Sequence, residues 1–326
     1  MRAAARRPAA PEGDTGVQLQ ASLNALRTAI PYIRAYKGRV FVVKLGGRLC
    51  EPGKVLDHLV EQLTLLHQLG IKLVVVHGGG GQADALCERL GIRREVFAGR
   101  RVTDDATLEV VKMAFAGTVN TNLVAAFRTA GVPALGLSGI DGGLITVEKR
   151  PRQTVRDPAT GETREVDFGH VGDIVSVTVD VLRHLLAGEC VPVICSLAAD
   201  AAGRIYNVNA DTVATRIAMA IEAAKYFLIT TVDGVLRDTS DPQTLIPYLD
   251  LAELDALIRS GVVSGGMLPK LAACAEALRG RVPRVHIING LARDTLLGEV
   301  FTNEGCGTLI VEQRNGVKPA AEAAAK

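Results

Sequence analysis

Residues 74–81 read Val-Val-Val-His-Gly-Gly-Gly-Gly and run directly into a helical pattern at Gln82. Four successive glycines lose more backbone entropy on ordering than any other tetrapeptide, so a mere turn explains them poorly. A glycine nest opening a helix is an anion site, because the first helical amides have no partner inside the helix. Gly78, Gly80 and Ala83 also fit the loose G-x-G-x-x-A dinucleotide pattern. A Rossmann dehydrogenase needs an acid about 20 residues further on. The segment there, Val96-Phe97-Ala98-Gly99-Arg100-Arg101, is basic, which weakens that reading. A Walker loop fails as well: Gly53-Lys54 is followed by Val55, with no glycine five residues before Gly53.

Around this feature, β-branched runs alternate with helical stretches. Strands are expected at Val40–Lys44, Lys72–His77, Pro192–Ser196, Tyr226–Thr231 and Val285–Ile288. Helices are expected at Val55–Leu69, Gln82–Leu90, Ala106–Ala130, Val179–Leu186, Asp211–Ala224, Leu251–Ser260 and Pro269–Gly280. This rhythm predicts an α/β fold, a mainly parallel sheet with helices on both faces. Residues 144–172 carry Asp157-Pro158, Thr160-Gly161 and many charges, and read as an exposed hairpin or lid. Ahead of the domain, Leu19, Leu23, Leu26, Ile30 and Ile33 form one helical stripe, with Pro31 expected to kink or interrupt its last turn. That stripe packs either on its own core or on another subunit.

Composition narrows the class. With 326 residues and 48% of them hydrophobic, the chain is long enough for two lobes and too apolar for disorder. Lys+Arg 37 against Asp+Glu 35 gives a formal +2, so no global field recruits nucleic acid or anionic lipid. The six cysteines include no CxxC pair and suit a reducing cytosol. No uninterrupted apolar stretch reaches the roughly 18 residues a membrane span needs. A cytoplasmic protein with neither nucleic-acid nor membrane partners is expected, with residues 1–16 a disordered arm and 314–326 a flexible tail.

Four more motifs bear on chemistry. Val43-Lys44-Leu45-Gly46-Gly47 is a strand ending in a lysine beside a double-glycine turn, which suits a phosphate. Arg100-Arg101-Val102-Thr103 suits carboxylate capture. Asn207-Val208-Asn209-Ala210-Asp211 puts three polar side chains on one side of an extended segment entering a helix, though such residues often only cap. Ser264-Gly265-Gly266-Met267-Leu268-Pro269-Lys270 is a second anion-facing helix start. No nucleophile–histidine pair or metal cage is evident. Glycine nests, two lysines and an aspartate fit phosphoryl transfer, which depends on positioning and charge neutralisation.

Taken in order over about residues 17–312, these five motifs resemble the amino acid kinase family, and within it the branch that phosphorylates N-acetyl-L-glutamate in arginine synthesis. The resemblance implies an αβα sandwich of two lobes, 38–222 for the acyl amino acid and 223–313 for ATP, used with Mg²⁺. Lys44 and Lys270 would neutralise the transferring phosphoryl group, Asp211 would hold both lysines, and the amides of Gly46, Gly47, Gly79 and Gly80 would stabilise its oxygens. Arg101, Asn207 and Asn209 would join Gly79 and Gly80 in binding the substrate. Thr230, Asp233 and Gly265 would join Lys44, Gly46 and Lys270 in binding the nucleotide. The helix at 17–37 resembles the extension that links dimers into a hexamer, a trimer of dimers, in arginine-inhibited members. Lys225, His286, Glu299, Gly305 and Gly307 fall on the arginine site of those members.

The chain departs from the branch's pattern at Arg48 and Ile140; Gly139-Ile140-Asp141-Gly142 is nearer the kinases of aminoadipate in lysine synthesis. The same fold forms the front domain of some acetylglutamate synthases, but the residues after 313 are too few for an acetyltransferase. An aminoadipate kinase and a non-catalytic arginine sensor remain as alternatives.

Overall fold

The computed structural model describes residues 16–157, 160–238, 241–261, 263, 266–302 and 305–313. The expected tail, Pro158, Ser264 and Gly265 lie outside them, as does the expected arm except for Gly16. An eight-stranded sheet organises the chain, in the spatial order Tyr248–Asp250, Thr308–Val311, Val285–Asn289, Lys225–Thr230, Val40–Leu45, Lys72–His77, Val191–Cys195, Ala134–Ser138. The last six of these are mutually parallel, and Thr308–Val311 runs antiparallel to its inner neighbour.

Strand periodicity sorts the core into two layers. Val42, Val74, Val76, Tyr226 and Leu228 face one side, under the helices Asp180–Ala187, Ala210–Ala220 and Met267–Arg279. Phe41, Val43, Leu73, Val75, Phe227 and Ile229 face the other, under Lys54–Gln68 and Asn120–Thr129. All these strand residues are buried. The αβα arrangement follows from strands that are apolar on both faces.

All five expected strands are present, within a residue or so of their expected ends. Those not foreseen are short or interrupted by polar and glycine residues. Residues 144–172 belong partly to the core, which corrects the reading of an exposed lid. Ile145–Lys149 pairs with Gly172–Val177 in a four-stranded sheet completed by Leu197–Ala199 and Ile205–Asn207, and Ile145 and Val147 are buried. Within this stretch, Gln153–Arg156 and Thr163–Val166 form a separate antiparallel pair.

Pro31 does not interrupt its helix, which runs from Gly16 to Tyr36. Tyr32 and Tyr36 beyond it are buried, and Arg284 donates to the Tyr36 hydroxyl at 2.8 Å. That anchorage offsets the proline's cost, about 3 kcal/mol in a helix interior. The helix expected at 106–130 contains a π-helical segment, Met113–Val119. The whole run Asp105–Thr129 is long and apolar enough by length and composition to cross a bilayer, which a search for uninterrupted apolar residues passes over. Here it buries Val110, Val111, Ala114, Phe115, Leu123 and Phe127 in the core.

Candidate active site

Lys44 continues the row of Val42 at the C-terminal end of its strand, so its side chain emerges beneath the helix Ala210–Ala220. Its ammonium lies 2.7 Å from Asp211 Oδ1, while Lys270 Nζ lies 2.9 Å from Oδ2. One carboxylate therefore holds two cations, leaving a net charge of +1. The side chains of Lys44 and Asp211 are under a tenth exposed. Burial pulls the Lys44 pKa below its ordinary value, with the Lys270 charge adding to the fall and Asp211 opposing it. Burial alone would raise Asp211, but the two ammonium groups outweigh it and hold the carboxyl below its usual range. The Asp211 carboxylate is therefore ionised at neutral pH.

Asn209 makes this possible. Its side chain caps the helix, accepting from the amides of Asp211 at 2.7 Å and Thr212 at 3.3 Å. The cap thus falls on Asn209, and the Asp211 carboxylate is free for the lysines.

The glycine turns close around the pair. A Cβ built on Gly47 would stand 3.6 Å from Gly79 Cα, and one on Gly78 would stand 3.5 Å from the Ala210 methyl. At Gly79 a Cβ would fall 2.7 Å from the Phe115 ring, so the π-helical segment forms the floor of the nest. No side chain caps the helix Gly80–Arg89, which leaves its leading amides for an anion. The Gly46 amide is a correction to the expected set: it donates to the Ile229 carbonyl at 3.0 Å and is already committed. Gln82, which sequence reasoning missed, donates to the Gly47 carbonyl at 2.7 Å and ties the two turns together. Its position in the first turn after the glycines was the available signal.

His77 turns away from this edge. It is fully buried, with Asn120 donating to Nε2 at 3.0 Å and Nδ1 facing the Gly78 carbonyl at 2.8 Å. Burial pushes it down to about 4, so it is neutral. Asn120 also donates to the Val193 carbonyl and pins adjacent strands together.

At the other rim, Arg101 Nη2 reaches the Gly80 carbonyl and Asp84, a second acid that sequence reasoning missed. Asn207 Nδ2 donates to Thr103 Oγ1 at 3.3 Å. Thr230 ends a strand beside Gly46, its Cα 4.0 Å from a Cβ built there, and Asp233 accepts from Asn289 at 2.8 Å. The catalytic, substrate and nucleotide residues foreseen from sequence thus lie at the edge formed by the C-terminal ends of the parallel strands and on the segments beside it, apart from Gly265, which is not described. Among the described residues no group of three or more His, Cys, Asp or Glu could hold a metal ion.

A second cluster lies apart from this edge. Lys225, at the start of its strand, is buried with its ammonium 4.9 Å from the Tyr36 ring centroid. Burial and then Arg284 lower it to about 7, against Glu299. His286 Nδ1 donates to Glu299 Oε1 at 2.8 Å, and its ring stacks on Phe227. Burial and Lys225 lower His286 to about 4. Glu299 is raised by burial but lowered more by His286 and the Cys306 amide, to about 2. Its Oε2 accepts from the amides of Cys306 at 2.7 Å and Gly307 at 3.2 Å. Gly305 has a φ of +65°, and a Cβ there would meet Glu299 Oε2 at 2.8 Å. All five residues of the expected arginine site converge here.

Fold and site together define an α/β protein in which two lysines share one aspartate beside glycine turns at the C-terminal ends of parallel strands. The chain belongs to the amino acid kinase family, whose model matches residues 39–289. It is 44% identical over 297 residues to acetylglutamate kinase of Myxococcus xanthus (strain DK1622), covering 91% of this chain and 96% of that one. It is similar to the solved N-acetylglutamate synthase of Neisseria gonorrhoeae complexed with coenzyme A and N-acetyl-glutamate, with a TM-score of 0.76, 30% identity and 89% of this chain covered. The chain spans 63% of that synthase. The same synthase with coenzyme A and L-arginine matches with a TM-score of 0.74 and 27% identity, over 89% of this chain and 65% of that one.

Proposed function

We propose that this chain transfers the γ-phosphoryl group of ATP to the side-chain carboxylate of N-acetyl-L-glutamate. The observation that carries the reading is Asp211 holding Lys44 and Lys270 beside uncapped glycine amides, in a chain 44% identical to an acetylglutamate kinase along nearly its whole length. A substrate oxygen attacks the γ-phosphorus, the bond to the ADP oxygen breaks, and no proton has to move. That suits a site in which His77, the histidine next to the glycine nest, is buried and neutral. Lys44 and Lys270 neutralise the charge spread over the transferring oxygens while the amides of Gly47, Gly79 and Gly80 donate to those oxygens. Arg101, Asn207 and Asn209 hold the acyl amino acid; Thr230, Asp233 and Gly265 bear on the nucleotide. Mg²⁺ would come bound to ATP as part of the substrate and would supply further charge neutralisation. Residues 38–222 form the acyl-amino-acid lobe and 223–313 the nucleotide lobe of a cytoplasmic enzyme.

We assign arginine as a feedback effector at Lys225, His286, Glu299, Gly305 and Gly307. Buried Glu299 suits a guanidinium and Lys225 a carboxylate, and a related synthase is solved with L-arginine. Leu19, Leu23, Leu26 and Ile30 are 37–58% exposed along the N-terminal helix, an apolar stripe suited to joining dimers into a hexamer.

The test is ATP- and Mg²⁺-dependent hydroxamate formation with N-acetyl-L-glutamate, glutamate and N-acetyl-aminoadipate, each with and without arginine. Turnover on the first, suppressed by arginine, is expected. Preference for N-acetyl-aminoadipate would transfer the assignment to lysine synthesis, the outcome Arg48 and Ile140 leave room for. Arginine binding without turnover would make the chain a sensor.

A further inference from the structure

The segments carrying Arg101 and Asn207 do not pair as neighbouring strands. A third segment bridges them: Thr103 N donates to the Phe168 carbonyl at 2.9 Å, His170 N to the Thr103 carbonyl at 2.6 Å, and Asn207 N to the His170 carbonyl at 2.9 Å. Across this bridge Asn207 Nδ2 reaches the hydroxyl of Thr103, 104 positions away in sequence. We propose that Thr103, docked on Gly169–His170, is a positioning residue that fixes the Asn207 amide for the acyl amino acid. The inference rests on the substrate reading above.

Four observations carry it. Thr103 is fully buried, so its hydroxyl serves Asn207 and not solvent. With Nδ2 committed to Thr103, the roll of the amide is set, and Oδ1 is left to accept an N–H such as an acylated amino group offers. Gly169 has a φ of +71°, and a Cβ there would lie 2.3 Å from the Thr103 carbonyl oxygen; the approach is open only to glycine. From the far side, His170 Nε2 lies 2.6 Å from Asp105 Oδ1, at the first residue of the helix that follows Thr103. The small cluster of Phe97, Val166 and Phe168 would hold this hairpin in place whatever the hydroxyl does, so a purely structural role has to be separated by experiment.

The experiment measures KM for N-acetyl-L-glutamate and for ATP in the full chain. The variants are Thr103→Val, Thr103→Ser, Asn207→Ala and the Thr103→Val/Asn207→Ala pair. Thr103→Val keeps the shape and removes the acceptor; KM for the acyl amino acid should rise about three- to tenfold, the scale of one lost hydrogen bond, with KM for ATP unchanged. Thr103→Ser should restore it. In the Asn207→Ala background Thr103→Val should add nothing, because the residue acts through that amide. An unchanged KM in Thr103→Val, or a rise that persists in full without Asn207, would overturn the inference. Should Thr103→Val fail to fold, Thr103→Ala is read the same way. A wild-type chain silent on N-acetyl-L-glutamate would sink the substrate reading, and this inference with it.

Discussion

Asn209 Oδ1 accepts the amide of Asp211 at 2.7 Å, so the residue that caps the helix is two places ahead of the one that gathers the lysines. Capping the helix and holding the two lysines are thereby divided between residues two places apart. Asn209→Ala should cost about 1 kcal/mol of stability, the usual loss of a cap, and lower turnover by loosening Asp211; Asn209→Ser should restore most of both. Urea unfolding midpoints set beside kcat for the two variants measure this. Equal kcat in Asn209→Ala and wild type would detach the cap from the site.

Lys44→Ala and Lys270→Ala should each abolish turnover while the chain stays folded. Electrostatic groups at a transferring centre are commonly worth 10²–10³ in rate. Circular dichroism with the hydroxamate assay separates loss of activity from loss of fold. Activity near wild type in either variant would move the site elsewhere.

Gly79→Ala should clash with Phe115, because the added methyl would fall 2.7 Å from the ring. Rate and stability should both fall, and Phe115→Leu in the same chain should recover part of each by clearing the floor of the nest. No recovery would mean that the glycine is required for its backbone alone.

The buried histidines make the fold acid-sensitive. His77 and His286 are held down to about 4, against an ordinary 6.5 in the unfolded chain. Between those values the unfolded chain binds more protons than the folded one. Stability is therefore full above pH 6.5 and falls as pH drops toward 4, by at most about 3 kcal/mol per histidine. Glu299, lowered to about 2, loses its contribution in a further window, as pH falls from about 4.5 toward 2. Urea midpoints at pH 7 and pH 5 should differ clearly; equal midpoints would mean that neither ring is buried neutral.

Much of this fold is legible in the sequence where the signal is local. Central strands such as Lys72–His77 are β-branched runs closed by glycines, and period and punctuation agree. Ala134–Ser138 is not legible because Gly136 interrupts it, and that glycine is there for a distant reason: a Cβ would collide with the Asn120 amide. The helix Thr295–Phe301 escapes for a similar cause. Asp294 gives it no side-chain cap, and Gln62, more than 230 positions earlier, accepts from the amides of Leu296 and Leu297 instead. In the site, Lys44, Asp211 and Lys270 stand out by motif. The commitment of the Gly46 amide to Ile229, and the roles of Gln82, Asp84 and Thr103, depend on partners that only folding brings near.

The most direct measurement follows ATP consumption and acyl-phosphate yield together, on N-acetyl-L-glutamate, in wild type and Asp211→Asn. The account predicts equimolar ADP and hydroxylamine-trapped acyl phosphate in wild type, and a loss of at least about 100-fold in Asp211→Asn with the fold intact. Acyl phosphate formed at the wild-type rate by Asp211→Asn would contradict it.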